Sequence, residues 1–461
     1  MGKNKKVTLL IEPDKELRTM PTTQHVVRTV FLLIHVAAVL AYGQIPAPPQ
    51  QQPIALVNAT VHPVSSGPIE KASIVFDRGK IVDIGTDVEI PSNAMEVDLR
   101  GKHVYPGLIE SHSQLGLTEI GSVGVTSDYV ERGDINPNVR AEVAINPGSE
   151  HIPVARANGI ALAVAAPSGG LIAGRSALIM TDGWTWKEMT LKAPLSMMIN
   201  WPRMRMADED DEASKKQQER AKKQIETLDK AIEDARAYMI ATASKKTDDN
   251  FPKTDIRWEA MISVLRGDLP VWIRANSLLE IESAVSWTDK HNLKAVLVGG
   301  IEAQHYAGLL KQKDIPVITT SVLRLPNRRD ADFDEPFTVP LRLYRAGVKF
   351  CIACGGASNI RNLPYHAAKA AAYGLPKDEA LKAITLYPAE IMGVADRVGS
   401  LEKGKDATLI VTDGDPLEIT THVEQLYIQG RRIDLNNKHR RLYDKYRRRY
   451  RQLNAHKKCS Q

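Results

Sequence analysis

The stretch Pro106-Gly107-Leu108-Ile109-Glu110-Ser111-His112-Ser113-Gln114-Leu115-Gly116 turns an apolar run into a polar cluster. The run starts at Val104 and is broken only by Pro-Gly. A buried strand that delivers side chains to a pocket at its C-terminal end has this pattern. Working outward, apolar strands recur with Gly-containing loops and helices between them: Pro153 to Ala166, Leu269 to Asn276, Lys294 to Gly300, Pro316 to Thr320 and Gly347 to Ala353. Strands alternating with helices predict parallel β/α architecture, and about eight such units fit a barrel. A doubly wound sheet would show a Gly-x-Gly-x-x-Gly turn after the first strand, and the sequence has none there.

The ends of the chain read differently. Residues 54–104 predict short strands, with Asp77-Arg78-Gly79-Lys80 as a hairpin turn. Residues 397–435 predict more strands after Gly399-Ser400-Leu401-Glu402-Lys403-Gly404. The expected fold class is α/β: a (β/α)8 TIM-type barrel over 105–396, plus a small β-sandwich built from 54–104 and 397–435. Two segments interrupt this plan. Residues 208–246 are highly charged and predict a long exposed helix inserted in the barrel. Residues 436–461 predict a basic helix, with Leu442, Tyr446, Tyr450 and Leu453 on a stripe that packs on the body.

The formal charge of +6 is unevenly spread. From Gln429 onward twelve Lys and Arg face two Asp, which leaves the remainder mildly acidic. A solvated helix face is the expected role of that tail, and no nucleic-acid partner is expected. Cys351, Cys354 and Cys459 do not make a disulfide framework, and Cys351 and Cys354 read as small core residues. Arg28 precedes an apolar run from Val30 to Ala41, and the Pro/Gln-rich linker 44–53 follows. The run is too short to span a bilayer. It predicts a signal segment over 1–43, with Met20 as a possible start, and a secreted or periplasmic product. Membrane association is expected only if that segment stays uncleaved.

The opening stretch resembles the first-strand motif of the amidohydrolase superfamily, in which Pro-Gly-Leu-Ile-Asp precedes a His-x-His metal pair. The imidazolonepropionase-like branch is the nearest match in pattern, over about residues 54 to 435. Its C-terminal motifs are Ser358-Asn359-Ile360-Arg361-Asn362-Leu363-Pro364-Tyr365, Asp378-Glu379-Ala380-Leu381-Lys382-Ala383-Ile384-Thr385 and Pro388-Ala389-Glu390-Ile391-Met392-Gly393. The resemblance implies a hydrolase of non-peptide carbon–nitrogen bonds that uses zinc at the C-terminal ends of the barrel strands.

At four of the five positions that match the motif, this chain carries other residues. His112 stands at the first His and Gln114 at the second. Arg274 stands at the strand-five His, Gly299 or Gly300 at the next His, and Gly355 at the Asp. A carboxamide is a poor zinc ligand, and one imidazole does not hold the metal alone. His112 is thus a residual metal ligand or a polar residue of the pocket rim, and no cofactor is expected from these residues. Arg274 either holds a carboxylate or phosphate or pairs with a structural acid such as Glu302. His305 and His366 read as structural residues on helices. The expected site is therefore His112 as a general base with an ordinary pKa near 6.5, and Gln114, Arg274, Glu302 and Gly355 as binding residues. Its expected ligand is a carboxylate-bearing small molecule; a homo-oligomer is compatible with the sequence. Two functions follow: a carbon–nitrogen hydrolase with its binuclear centre largely lost, or a secreted pseudo-hydrolase that binds a small carboxylate.

Overall fold

The computed structural model describes residues 45–204, 211–243 and 254–459. The expected signal segment lies outside the described residues, as do both ends of the charged insertion. Five strands open the chain: β1 (Ile54–Val61), β2 (Ile69–Asp77), β3 (Lys80–Gly85), β4 (Met95–Asp98) and β5 (His103–Pro106). Eight follow: β6 (Leu108–Ser113), β7 (Ile160–Ala165), β8 (Ile172–Met180), β9 (Thr190–Asn200), β10 (Val271–Ala275), β11 (Ala295–Gly299), β12 (Val317–Thr320) and β13 (Phe350–Ala353). Three close the set: β14 (Leu409–Thr412), β15 (Val423–Ile428) and β16 (Arg431–Arg432).

The first and last groups share one sheet, in the order β16-β15-β14-β5-β1-β2-β3, with β4 beside β1. The splice is β14 antiparallel to β5, with Leu409 opposite Pro106. A hairpin joins β2 to β3, and Arg78 and Gly79 both take the left-handed backbone that a type I′ turn requires. Register shifts around Asn58 let β1 pair β4 with its first half and β5 with its second. The β3 edge returns to the chain entering β14, with Ile81 N donating to Lys405 O at 2.9 Å and Ala407 N to Gly79 O at 2.8 Å, so the two chain ends build the expected small sheet domain around one core. Its core includes Leu56, Phe76, Val104, Leu409 and Tyr427, each fully buried.

Strands β6 to β13 form the second sheet in chain order. All neighbours pair parallel except β8, which is antiparallel to both β7 and β9. The expected barrel sheet forms, and its parallel order is broken only at β8, for a chain-length reason. Parallel neighbours need a crossover of about a dozen residues or more, and only residues 166–171 join β7 to β8. Pro167-Ser168-Gly169-Gly170 simply turns the chain back. Elsewhere helices cover the sheet, so the strands are apolar on both faces; β7 and β13 are buried at every residue.

The two charged segments behave differently from expectation, in opposite senses. Helix Glu212–Ala243 is docked along one face, with Ala221, Leu228, Ile232 and Ala235 buried. Asp229 fixes it to the body by accepting from Trp287 Nε1 at 2.9 Å and pairing with His291 Nε2 at 2.7 Å. By contrast, the expected packing stripe of helix Lys438–Cys459 is exposed at Leu442, Tyr446, Tyr450 and Leu453. Turning that stripe inward would also bring its flanking arginines against the body, where desolvation opposes burial.

Two residues of the opening stretch hold the barrel together. Gly107 lies where the chain passes from β5 to β6, and its N–H donates to Thr408 O at 3.0 Å. A Cβ there would meet Ala161 Cβ at 2.5 Å and Thr408 Cγ2 at 3.1 Å. Glu110 bridges the first and last barrel strands. Its fully buried carboxylate accepts from Cys354 N at 3.0 Å and Gly355 N at 3.4 Å, just past β13, and from His112 N at 3.2 Å. Gln114 N adds a bond to Gly356 O at 2.8 Å. Burial raises the Glu110 carboxyl to about 7, against the opposing pull of those N–H donors.

We predict that Gly107→Ala destabilises the fold by about 1–3 kcal/mol in denaturant unfolding, through overpacking; an unchanged midpoint would contradict this. A second prediction concerns pH. With its folded pKa raised, Glu110 holds its proton more tightly in the native chain than in the unfolded one. Its contribution is therefore present at acid pH and lost as pH rises from about 4.5 to about 7. Relative to Glu110→Gln, wild type should lose on the order of 3 kcal/mol between pH 4.5 and 8. The comparison with the variant matters. The imidazoles of His62, His112 and His366, pushed down by burial, stay neutral in the fold and add the opposite slope below pH 6.5. Parallel pH curves for the two proteins would remove Glu110 from this role.

Candidate functional site at the barrel mouth

Side chains two apart on a strand share a face. On β6 that rule puts Glu110 and His112 on one face, with Glu110 deeper and His112 nearer the C-terminal end. On β10 Trp272 and Arg274 alternate in the same way; Trp272 is fully buried and Arg274 keeps partial exposure. Arg274 is the meeting point. Its Nη2 donates to His112 Nε2 at 3.0 Å and its Nη1 to Ser168 Oγ at 3.0 Å. Asn200 sits opposite Arg274 in the β9–β10 register, and its Nδ2 donates to Gly170 O at 2.9 Å. His112 Nδ1 and Asn200 Oδ1 are buried with no hydrogen-bond partner.

The electrostatics follow from burial. His112 is 7% exposed. Burial, reinforced by the adjacent guanidinium, pushes its pKa down to about 3. The imidazole is therefore neutral, and because Nε2 accepts from Arg274 its proton sits on Nδ1. The expected general base near pKa 6.5 is corrected here: a conjugate acid this strong leaves a weak base at neutral pH. Burial also lowers the Arg274 pKa, and among the described residues no carboxylate pairs with it to offset that cost.

The other expected site residues fall in different places. The pairing of Arg274 with Glu302 does not occur. Gly300 N and Glu302 N bond back to Ala275 O and Asn276 O, and this fold of the loop turns the Glu302 carboxylate onto Leu278 N at 2.9 Å. Glu302 thus caps the helix Leu278–His291, which also carries a Ser277–Glu280 capping box. Gly355 contributes only its backbone N–H to Glu110. Gln114 is partly buried just past the strand end, two residues after His112. A side chain at Gly299 would collide with Asn276 Oδ1, so that position holds no ligand.

His366 faces Cys354, with Nε2 at 3.3 Å from Sγ, while Leu323 N donates to its Nδ1 at 3.4 Å. Burial raises the Cys354 thiol pKa, so the pair is a neutral packing contact. His305 lies 4.0 Å from Glu335 on the barrel exterior helices.

Two contributors escape a strand-by-strand reading. Ser168 sits on the hairpin that replaces a crossover helix, and Asn200 ends the long strand β9. Gly169 and Gly170 beside them mark the place, though for a packing reason: a Cβ on Gly170 would meet Gly133 O at 2.6 Å. A cavity of about 300 Å³ lined by Leu310, Tyr344, Phe350 and Tyr387 opens at the other ends of the strands. Barrel chemistry belongs at the C-terminal ends, where Arg274 and His112 lie.

With this geometry in place, comparison with known proteins gives one consistent answer. Residues 337–433 match the amidohydrolase family. Amidohydrolase tasK of Hapsidospora irregularis is 23% identical over 391 residues, which cover 77% of this chain and 39% of that protein. This chain thus spans well under half the length of that relative. An amidohydrolase of Thermotoga maritima has a similar structure, with a TM-score of 0.72 and 27% identity over 83% of this chain and 99% of that one. A prolidase complexed with N-methylphosphonate-L-proline shares the fold, with a TM-score of 0.52 and 16% identity over 83% of this chain and 99% of that one. By fold, and by sequence over residues 337–433, this chain is similar to proteins of the amidohydrolase family.

Proposed function

We propose that this amidohydrolase-family protein is a pseudo-hydrolase whose barrel mouth binds a small-molecule carboxylate on Arg274. The observation that carries the reading is the guanidinium itself. It is largely buried, it donates to two neutral acceptors, and among the described residues no carboxylate lies against it. A buried cation in that state is costly unless an anion completes it. A carboxylate matches the planar fork of Arg and accepts two parallel N–H bonds. The neutral amide of Gln114 and the unpartnered Oδ1 of Asn200 supply polar contacts for the rest of the molecule.

The fold family implies zinc at this mouth, and the donors here do not fit it. His112 Nε2 is already occupied by a guanidinium N–H, and Arg274 adds a positive charge where a divalent cation would sit. Gly355 brings no side chain. Among the described residues, no group of three or more His, Cys, Asp or Glu gathers to hold a metal. Hydrolysis without the metal would fall to His112, whose lowered pKa makes it a poor base.

Thermal shift with a panel of small carboxylates tests the ligand. Wild type should be stabilised, and Arg274→Ala should lose most of that effect, since a charge-assisted contact contributes about 1.5–3 kcal/mol. The variant itself should fold, because it removes an uncompensated cation. Equal shifts in both proteins, or none in either, would remove Arg274 from the site. Elemental analysis after dialysis should find well below one zinc per chain. About two zinc ions per chain, or zinc-dependent turnover of an amide, would overturn the pseudo-hydrolase reading.

A further inference from the structure

The helix Lys438–Cys459 ends the described chain and carries nothing the barrel mouth uses. Its start is fixed. Asn437 Oδ1 accepts from His439 N at 2.9 Å and Arg440 N at 3.2 Å, and Arg441 Nη2 lies 3.0 Å from both oxygens of Glu150. From Leu442 to Asn454 every residue is exposed. At about 100° per residue, Leu442, Tyr443, Tyr446, Tyr450 and Leu453 fall within one arc of roughly 100°. Tyr443 is 65% and Tyr450 64% exposed, so no other element packs on this arc among the described residues. The rest of the circumference is cationic: residues 438–454 hold eight Lys and Arg against the single acid Asp444.

We propose that this helix is an interfacial anchor that lies on an anionic lipid surface. The charge pattern selects that occupant. On a bilayer, the tyrosine–leucine arc sinks to the headgroup boundary, where amphipathic phenols are favoured, and the flanking cations meet lipid phosphates. A second copy of the same helix would bring two strongly positive surfaces together. A nucleic acid would engage the cations and leave the tyrosine–leucine arc uncovered. The tether at Glu150 and Asn437 holds the helix to the barrel, so membrane binding would seat the whole protein.

Vesicle co-sedimentation of the full chain tests this. The probes are phosphatidylcholine vesicles with and without phosphatidylserine, at low and high salt. Three proteins are compared: wild type, the triple variant Tyr446→Ser/Tyr450→Ser/Leu453→Ser, and the triple variant Arg447→Gln/Arg448→Gln/Arg449→Gln. Any contribution from the N-terminal apolar run is common to all three, so the differences report this helix. All altered side chains are exposed, and circular dichroism should show unchanged folding. Wild type should bind the anionic vesicles in a salt-sensitive way, and each variant should partition at least about tenfold more weakly. Equal partition of the three proteins, or binding to neutral vesicles as strong as to anionic ones, would overturn the proposal. So would release of wild type from vesicles by an equimolar oligonucleotide, or a wild-type dimer in solution that the tyrosine–leucine variant abolishes.

Discussion

A largely buried guanidinium must have acceptors, and at this barrel mouth Arg274 has found a neutral imidazole and a hydroxyl. That single arrangement fixes much of the local chemistry. It sets the His112 tautomer, adds to the burial that holds its pKa far below the ordinary histidine range, and places positive charge at the mouth. In an amidohydrolase-like barrel the same volume would serve a cation. In the function proposed above, it repels one and attracts an anion. The change needs no new fold, because strand ends in a barrel are positions on a scaffold whose layers are packed below them.

The scaffold under the mouth explains how the site is held. Glu110 lies one step deeper than His112 on the same face and ties β6 to the end of β13 through backbone N–H groups. Gly107 permits the tight passage from the outer sheet into the barrel. Ser168 reaches Arg274 because the β7–β8 connection is too short for a helix. The antiparallel strand is thus part of how the site is built, since it brings a turn hydroxyl over a strand end where a crossover helix would begin elsewhere.

Much of this was legible in the sequence. The run from Val104 to Gln114, the apolar strand repeats and the terminal strand segments indicated the barrel and the shared outer sheet. The resemblance also implied that His112 and Arg274 would meet at one mouth. Three features were not legible. The direction of β8 depends on six connecting residues, which local propensity does not rank against a longer crossover. The fate of Glu302 depends on a loop that folds back onto Asn276, and the sequence shows only an acid near a strand end. The two charged helices both carry an apolar stripe, yet one buries Leu228 and Ile232 while the other leaves Tyr446 and Tyr450 in solvent. The difference lies in the balance of charge signs. Helix Glu212–Ala243 mixes both signs and docks through Asp229, whereas the C-terminal helix is almost wholly cationic.

The central claim is that a guanidinium–imidazole bond occupies the position of the family's metal centre. The most direct measurement is side-chain ¹⁵N nuclear magnetic resonance of the histidines across pH 4 to 8, with His112→Asn to assign the signal. The account predicts that His112 stays neutral down to pH 4, with the proton on Nδ1 and Nε2 unprotonated, because burial and Arg274 hold its pKa at about 3. Titration near the ordinary value of roughly 6.5, or a proton on Nε2, would contradict it.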